Sequence, residues 1–542
     1  MKKLILGLCV SLSLCGCERE TVMKAVYDIV PVPFEVVPGD ASEYFRINPD
    51  TEIIYPAQDT EMERNARFLA GYMKDLTGMD LQITDKLRDK DVIILTADMD
   101  SDNPEAYAID VDKDRISVSG ASAAGVFYGI QTLRKSMPEA GCHLVDMPAV
   151  RITDMPRFQY RGAHLDVSRH FFPVDSVKAF VDMLAMHNIN RFHWHISDDQ
   201  GWRIEIKRYP ELTTIGSVRK GTMVGTDFSS NDSIPYGGYY TQDEARDIVA
   251  YAAERYITVV PEIDMPGHMQ AALAAYPQLG CTGGPYDVWT LWGISEDVLC
   301  AGNDSVLTFI DGVLDELVEV FPSEMIHIGG DECPKVRWEN CPKCRQRVRS
   351  LGLKNDAGSS AEQKLQTMIM NHAAATLARH GRKAVGWDEI LDSGLDGNAV
   401  IMSWRGPEGA VKAVRAGHDA ILSPTQYCYF DYLQAPDSIT DETKLPYYTY
   451  LPIEKVYSLE PVDSALSVDE ASHILGCQAN LWVEYIPGLH YAQYKELPRL
   501  AAMSEVQWSD PKHRDFDDFS RRLPQLIRLY EAEGYNYFKL KK

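Results

Sequence analysis

The sequence predicts an α/β protein whose main body is a closed (β/α)8 barrel of the TIM type, preceded by a small α/β domain. Three observations carry this. Beyond about residue 157, eight apolar runs recur, each ending in a polar or aromatic cluster. Helical patterns separate most of them, as a parallel sheet covered by helices requires. Before residue 150, shorter strand and helix patterns alternate in a different rhythm.

Taken in chain order, "MKKLILGLCVSLSLCGC" has a basic start at Lys2 and Lys3, an apolar stretch, and small residues before Cys17. That is the pattern of a bacterial export signal, and residues 1–17 are expected to be a lipoprotein signal peptide with Cys17 acylated. The expected location is the periplasm or the outer membrane and cell surface, with the lipid as membrane tether. No later run approaches the roughly 20 apolar residues that span a bilayer.

From 24 to 150 a small α/β domain is expected. "EMERNARFLAGYMKDLTG" carries Phe68, Leu69, Tyr72, Met73 and Leu76 at helical spacing and stops at Gly78. "DVIILT", "AYAIDV" and "RISVSG" read as strands and "AAGVFYGIQTLRK" as a helix. The proline-containing "DMPAVRITDMPRF" reads as a linker. The barrel, 157–510, then takes its strands from "YRGAHLDVSR", "INRFHWHISDD", "ITVVPEIDMPGH", "MIHIGGDE", "KAVGWDEI", "AVIMSWRG", "DAILSPTQYCYFD" and "ILGCQANLWVE". "SVKAFVDMLAMHN", "DEARDIVAYAAERY" and "SVLTFIDGVLDELVEVF" show helical periodicity between them. Residues 511–542 are expected to form a helical extension packed on the barrel.

A formal charge of −25 over 542 residues argues against a nucleic-acid partner, because phosphate binding needs clustered Lys and Arg. Eleven cysteines in an exported chain invite pairing. Cys281 and Cys300 flank a loop, and Cys333, Cys341 and Cys344 form C-x7-C-x2-C. The "CPKC" resembles half a zinc knuckle, but a second pair is not evident nearby. Disulfides or free thiols are therefore expected rather than a metal.

Barrel active sites are built at the C-terminal ends of the strands. Those ends offer Arg161 and Asp166, Asp198 and Asp199, Glu262, Asp264 and His268, Asp331 and Glu332, Trp387 and Asp388, Trp404 and Arg405, Tyr429 and Asp431, and Trp482 and Glu484. Carboxylates with three tryptophans suit a sugar ring, whose hydroxyls take directed hydrogen bonds and whose C–H face packs on aromatic rings. Asp331 and Glu332 are neighbours, so a regular strand would point them to opposite faces. Gly329 and Gly330 free the chain to turn both toward one pocket. His193 and His195, two apart on a strand, face the same way; without a third ligand they read as hydrogen-bonded histidines.

In order, "RGAHLD", "FHWHISDDQGWR", "PEIDMPGH", "HIGGDE", "GWDE", "SWRG", "YFD" and "LWVE" resemble the motifs of glycoside hydrolase family 20, the β-N-acetylhexosaminidases. The resemblance spans about residues 24–510. It implies an exo-acting retaining enzyme removing terminal GlcNAc or GalNAc from glycans, with no cofactor, through an oxazolinium ion formed by the substrate's own acetamide. It implies Glu332 as acid and base, Asp331 and Tyr429 as the acetamide's partners, and a His268–Asp198 relay behind Glu332. It also implies that Trp387, Trp404 and Trp482 wall the sugar, and that Arg161, Asp431 and Glu484 take its hydroxyls. Two readings compete with it: Glu484 as a protein nucleophile, and a non-catalytic glycan-binding lipoprotein on the same barrel. The long segments after Glu332 and after Asp431 depart from the family pattern and bear on linkage preference.

Overall fold

The computed structural model describes residues 22–138, 144–395, 397, 399–436 and 449–540. The signal segment and Cys17 lie outside the described residues, as does part of the segment after Asp431.

The N-terminal domain holds a seven-stranded sheet in the order Glu35–Pro38, Val150–Asp154, Tyr107–Val111, Arg115–Gly120, Val92–Thr96, Glu52–Ile54, Gln82–Thr84. Helices Thr60–Thr77 and Ala123–Ser136 pack together and against it. The first starts where the Asp59 side chain accepts the Glu61 and Met62 N–H groups and ends at Gly78 in the left-handed region. Leu69, Met73 and Leu76 of its apolar stripe are buried, and Phe68 and Tyr72 border the same core.

The expected linker is instead strand. Leu144–Pro148 joins a separate three-stranded sheet, and Val150–Asp154 lies second in the large one, between Glu35–Pro38 and Tyr107–Val111. The alternation of buried Val150, Ile152 and Asp154 is a half-buried strand's period, and the prolines sit at its margins, where they interrupt no ladder. The boundary between domains therefore falls just after Asp154.

The barrel closes with eight parallel strands: β1 (Tyr160–Asp166), β2 (Arg191–His195), β3 (Thr258–Glu262), β4 (Met325–His327), β5 (Lys383–Trp387), β6 (Val400–Ser403), β7 (Ala420–Leu422) and β8 (Ile474–Leu481). Each comes from one of the eight apolar runs. Helices α1 (Val174–Met186), α2 (Gln242–Ala253) and α3 (Asp304–Val320) follow β1, β2 and β3. On α1, Val177, Phe180, Val181 and Leu184 are fully buried, each contributing about 1.5–3 kcal/mol of apolar burial. A capping box between Thr241 and Glu244 starts α2.

Helix Phe516–Ala532 lies across both domains. Arg522 pairs with buried Glu505 at 2.8 Å, the Tyr530 hydroxyl meets His187 Nε2 at 2.6 Å, and Gln525 donates to the Lys135 and Met137 carbonyls.

Arg161 belongs to this same seam, and its expected place in the sugar site is corrected. It lies at the start of β1, whereas the site forms at the end; five residues of strand at about 3.3 Å each put it some 16 Å from Asp166. Its guanidinium is buried against Glu105 at 2.6 and 2.9 Å, donates to the Phe158 and Asn188 carbonyls, and lies over Trp508. It ties the barrel to the N-terminal domain.

Candidate active site

The turn after β4 builds the centre. Gly329 and Gly330 have φ of 66° and 104°. A side chain on Gly329 would strike Asp264 and one on Gly330 would strike Ile390, so glycine is required twice over. The reversal brings both Asp331 and Glu332 onto one cavity of about 170 Å³ at the C-terminal mouth. Arg169, Asp198, Asp264, His268, Trp404, Tyr429, Asp431, Trp482 and Glu484 also line it. That volume is below the range of drug-sized pockets and suits a single sugar ring.

The two neighbouring carboxyls differ in environment. Asp331 is 8% exposed, and burial with the nearby Glu332 charge raises its pKa to about 6 against the pull of His268. It is hydrogen-bonded to Asp264, a fully buried carboxyl that burial and the Asp331 charge push well above the usual range. Asp264 therefore holds the shared proton and donates it to Asp331, while its Oδ1 accepts the Gly330 N–H at 3.2 Å. Asp331 Oδ1 is buried and has no hydrogen-bond partner in the protein. The Glu332 side chain is 37% exposed and reaches the cavity from a backbone with φ of 43°, a conformation that costs a non-glycine residue about 1–3 kcal/mol.

Behind Glu332 stands a chain of charges. His268 Nε2 lies 3.7 Å from Glu332 Oε2, and His268 Nδ1 lies 3.0 Å from Asp198 Oδ1. Asp198 Oδ2 accepts from His195 Nε2 at 2.8 Å and from Arg169 at 2.9 Å. Burial opposes charge here, but Arg169, His268 and His195 hold Asp198 well below the usual carboxylate range, and the ionised Asp198 holds His268 well above the usual imidazole range. His268 is thus an imidazolium aimed at the Glu332 carboxyl.

Beneath this, Glu262 accepts from His195 at 2.6 Å and Trp387 Nε1 at 2.9 Å, and stands 3.1 Å from His193 and 2.9 Å from His327. The strand pair His193 and His195 is accounted for by this shared carboxylate.

Trp404, Tyr429 and Trp482 form the aromatic wall: the Tyr429 ring is 6.3 Å from Trp404 and 6.4 Å from Trp482. Burial, with the Asp331 charge, pushes the Tyr429 hydroxyl well above its ordinary pKa, so it keeps its proton. Trp387 does not line the cavity. Its N–H turns inward to Glu262 and its ring backs Trp482 at 6.0 Å. At the far end, Asp431 Oδ1 and Glu484 Oε2 are buried without protein partners, like Asp331 Oδ1. Burial with the Glu484 charge raises Asp431 to about 7.

Arg169 is the site arginine that reading the sequence missed. It pairs with Asp166 and Asp198 at 3.2 and 2.9 Å, lies 5.1 Å over Trp482, and follows the true end of β1. Its position three residues after Asp166 was the available signal.

The chain has relatives among known proteins. Residues 158–511 match the family model for the glycosyl hydrolase family 20 catalytic domain, and residues 26–155 match that family's domain 2. The chain belongs to glycosyl hydrolase family 20. This family 20 chain is 40% identical to a β-hexosaminidase of Porphyromonas gingivalis, over 99% of the chain and 68% of that protein. It is 34% identical to a β-hexosaminidase of Akkermansia muciniphila, over 80% of the chain and 85% of that protein. Among solved structures, the family 20 β-N-acetylhexosaminidase of Streptomyces coelicolor superposes with a TM-score of 0.81 at 31% identity, covering 95% of this chain and 98% of the other. The family 20 exo-β-N-acetylglucosaminidase of Vibrio harveyi, in complex with N-acetylglucosamine, gives 0.81 at 30% identity, covering 95% and 79%. The family 20 chain is a glycoside hydrolase of the β-N-acetylhexosaminidase class.

Proposed function

We propose that the chain removes terminal β-linked N-acetylhexosamine from glycans, with the substrate's acetamide as nucleophile. One observation carries this reading: Asp331, buried beside Tyr429 and the tryptophan wall, keeps an oxygen without a protein partner next to the more exposed Glu332. A buried acceptor left unpaired costs about 1–3 kcal/mol, which an amide N–H there would recover.

In the first step the acetamide oxygen bonds to the anomeric carbon as the bond to the aglycone oxygen breaks, and Glu332 gives that oxygen its proton. Asp331 accepts the acetamide N–H and offsets the positive charge of the oxazolinium ion. Tyr429 donates to the acetamide oxygen and orients it. In the second step water bonds to the anomeric carbon as the bond from that carbon to the acetamide oxygen breaks and the acetamide is restored, Glu332 takes the proton of the water, and the second inversion gives net retention. Tethering the nucleophile can supply about 7–11 kcal/mol of the barrier reduction. His268 keeps positive charge beside Glu332 and steadies it when it is ionised. Arg169, in the place first given to Arg161, joins Asp431 and Glu484 in holding ring hydroxyls at the closed end, which makes the action exo.

The test compares an aryl N-acetyl-β-glucosaminide with the aryl β-glucoside lacking the acetamide. A loss of several orders of magnitude on the glucoside is expected. Equal rates would instead favour a protein nucleophile such as Glu484, whose carboxyl burial and Asp166 hold above its ordinary pKa despite Arg169, a poor setting for a nucleophile.

We also propose export and lipid attachment at Cys17, supported by the basic and apolar pattern before it. Acylation of Cys17 in the mature N-terminal peptide by mass spectrometry tests it, and an unmodified start elsewhere refutes it.

A further inference from the structure

Outside the active site, four of the five cysteines whose pairing was open converge. Cys281, Cys300, Cys341 and Cys344 place all their sulfurs within 4.8 Å of one another. The measured separations are 3.8 Å for Cys281–Cys344, 3.8 Å for Cys300–Cys341 and 3.6 Å for Cys300–Cys344. A disulfide needs about 2.05 Å, and one sulfur here stands equally near two others, which no pairing scheme explains. A tetrahedral ion with metal–sulfur bonds of about 2.3 Å sets its sulfurs about 3.8 Å apart. We propose that these four cysteines form a structural zinc site.

The local backbone is built for it. Cys341 is the N-cap of α4 (Pro342–Ser350), in extended geometry with Pro342 at the first helical position. Cys344 lies in the first turn, so the C-x2-C pair converges on the helix N-terminus as a capping pair does. The other pair comes from a small antiparallel bridge between Gly280 and Leu299, held by the Cys300 N–H donating to the Leu279 carbonyl at 2.8 Å. The turn after Cys300 presses so closely on α4 that a side chain on Gly302 would stand 2.2 Å from the Lys343 backbone. Cys300, Cys341 and Cys344 are buried, and Cys281 is at the rim. Cys333, the first cysteine of the C-x7-C-x2-C spacing, is not in the cluster.

Zinc with four thiolates carries two negative charges, and binding releases the four thiol protons. The α4 dipole points its positive end at the site, and the helix carries Lys343, Arg345, Arg347 and Arg349. Four sulfur ligands in tetrahedral array select zinc over oxygen-loving cations.

The site joins the segment after Glu332 to the segment after His268. Trp338 Nε1 donates to the Leu299 carbonyl at 2.9 Å, and Arg337 pairs with Asp297 at 2.7 Å, so the clamp is reinforced between metal and active site. The Leu299 N–H donates to Pro266, two residues before His268. Zinc would thus fix the two loops that carry the acid and its imidazolium.

Elemental analysis and native mass spectrometry of the full-length protein, purified without chelators, test this. One zinc per chain is expected, released on titration with an organomercurial, lost in the C341S/C344S double variant and retained in C333S. Cobalt exchanged into the wild type should give the absorption of a tetrahedral thiolate complex. Should the double variant fail to fold, C281S at the rim serves in its place, with weaker zinc retention and a lower Tm expected. The proposal is overturned by a metal-free protein whose intact mass lacks four hydrogens, the mark of two disulfides. It is equally overturned by a metal-free protein with four free thiols, by iron in place of zinc, or by zinc retained in the folded double variant.

Discussion

Arg161 and Arg169 stand eight residues apart and both are buried against carboxylates, yet only one belongs to the sugar site. Replacing each by methionine separates the two roles. Arg161→Met leaves Glu105, 17% exposed and held below its ordinary pKa against its own desolvation by Arg161, without its bidentate partner. Breaking a buried ion pair from one side costs about 3–5 kcal/mol, which for a chain of this size lowers Tm by about 3–5 °C. The folded fraction should nevertheless turn over an aryl N-acetyl-β-glucosaminide with near wild-type kcat/KM. Arg169→Met removes a charged donor at the closed end of the cavity; a hydrogen bond to a charged group contributes about 1.5–3 kcal/mol, so kcat/KM should fall roughly 10- to 150-fold. Part of that loss comes through Asp198, so a substrate lacking the 4-hydroxyl supplies the check: the gap between wild type and Arg169→Met should narrow on it. Steady-state kinetics and thermal melts on both variants decide the matter. A large kcat/KM loss in Arg161→Met with an unchanged Tm would return that arginine to the site and refute the argument.

Glu332→Gln should lower kcat/KM, which reports the leaving-group step, about 100- to 10,000-fold on alkyl and sugar leaving groups while sparing dinitrophenyl leaving groups, which need no proton; equal losses on both would remove its role as acid. In the proposed mechanism it is the ionised Asp331, with its pKa raised to about 6, that accepts the acetamide N–H and offsets the oxazolinium charge, so kcat/KM should decline as pH drops below about 6, and a profile flat down to pH 4 would contradict that. Gly330→Ala meets Ile390 at 2.3 Å with φ at 104°, and should abolish activity even where circular dichroism shows a folded barrel. His268→Gln keeps a polar side chain but loses the cation, so it should displace the pH profile of kcat more than KM; an unmoved profile would make His268 merely structural.

The barrel was legible because each strand is an apolar run with its polar residues collected at one end, a pattern that periodicity alone reveals. The glycine pair before Asp331 was legible for the same elementary reason, since two adjacent side chains reach one pocket only if the backbone leaves strand geometry. Arg161 was misplaced because a motif gives no direction along its strand: "RGAHLD" holds residues from both ends of β1, and only register tells them apart. The strand Val150–Asp154 was hidden by its flanking prolines, whose edge positions leave its alternation intact. Cys281 and Cys300 were evident as a pair flanking a loop, but not as partners of Cys341 and Cys344, because Cys300 sits about 40 residues before Cys341, across α3 and β4, and only tertiary structure closes that distance.

His268 and Glu332 are both non-glycine residues in the left-handed region, with φ of 52° and 43°, on loops that follow different strands. Such strain persists only where the surroundings over-determine it, and here each loop is held by the other's partners. The Gly330 N–H donates to Asp264, on the His268 loop, and the Gly330 carbonyl accepts from Gln366 at 2.7 Å. Gly267, next to His268, packs so near Cys333, next to Glu332, that a side chain there would stand 3.2 Å from the Cys333 Cα. His268 and Glu332 are therefore set by one shared turn-on-turn contact rather than by two independent loops. Because the 3.7 Å separation between them depends on both strained turns at once, a slack of a few tenths of an ångström in either changes the field at the Glu332 carboxyl. This explains how a partly exposed glutamate can keep a fixed electrostatic environment while Asp331, one residue earlier, is buried and hydrogen-bonded to Asp264.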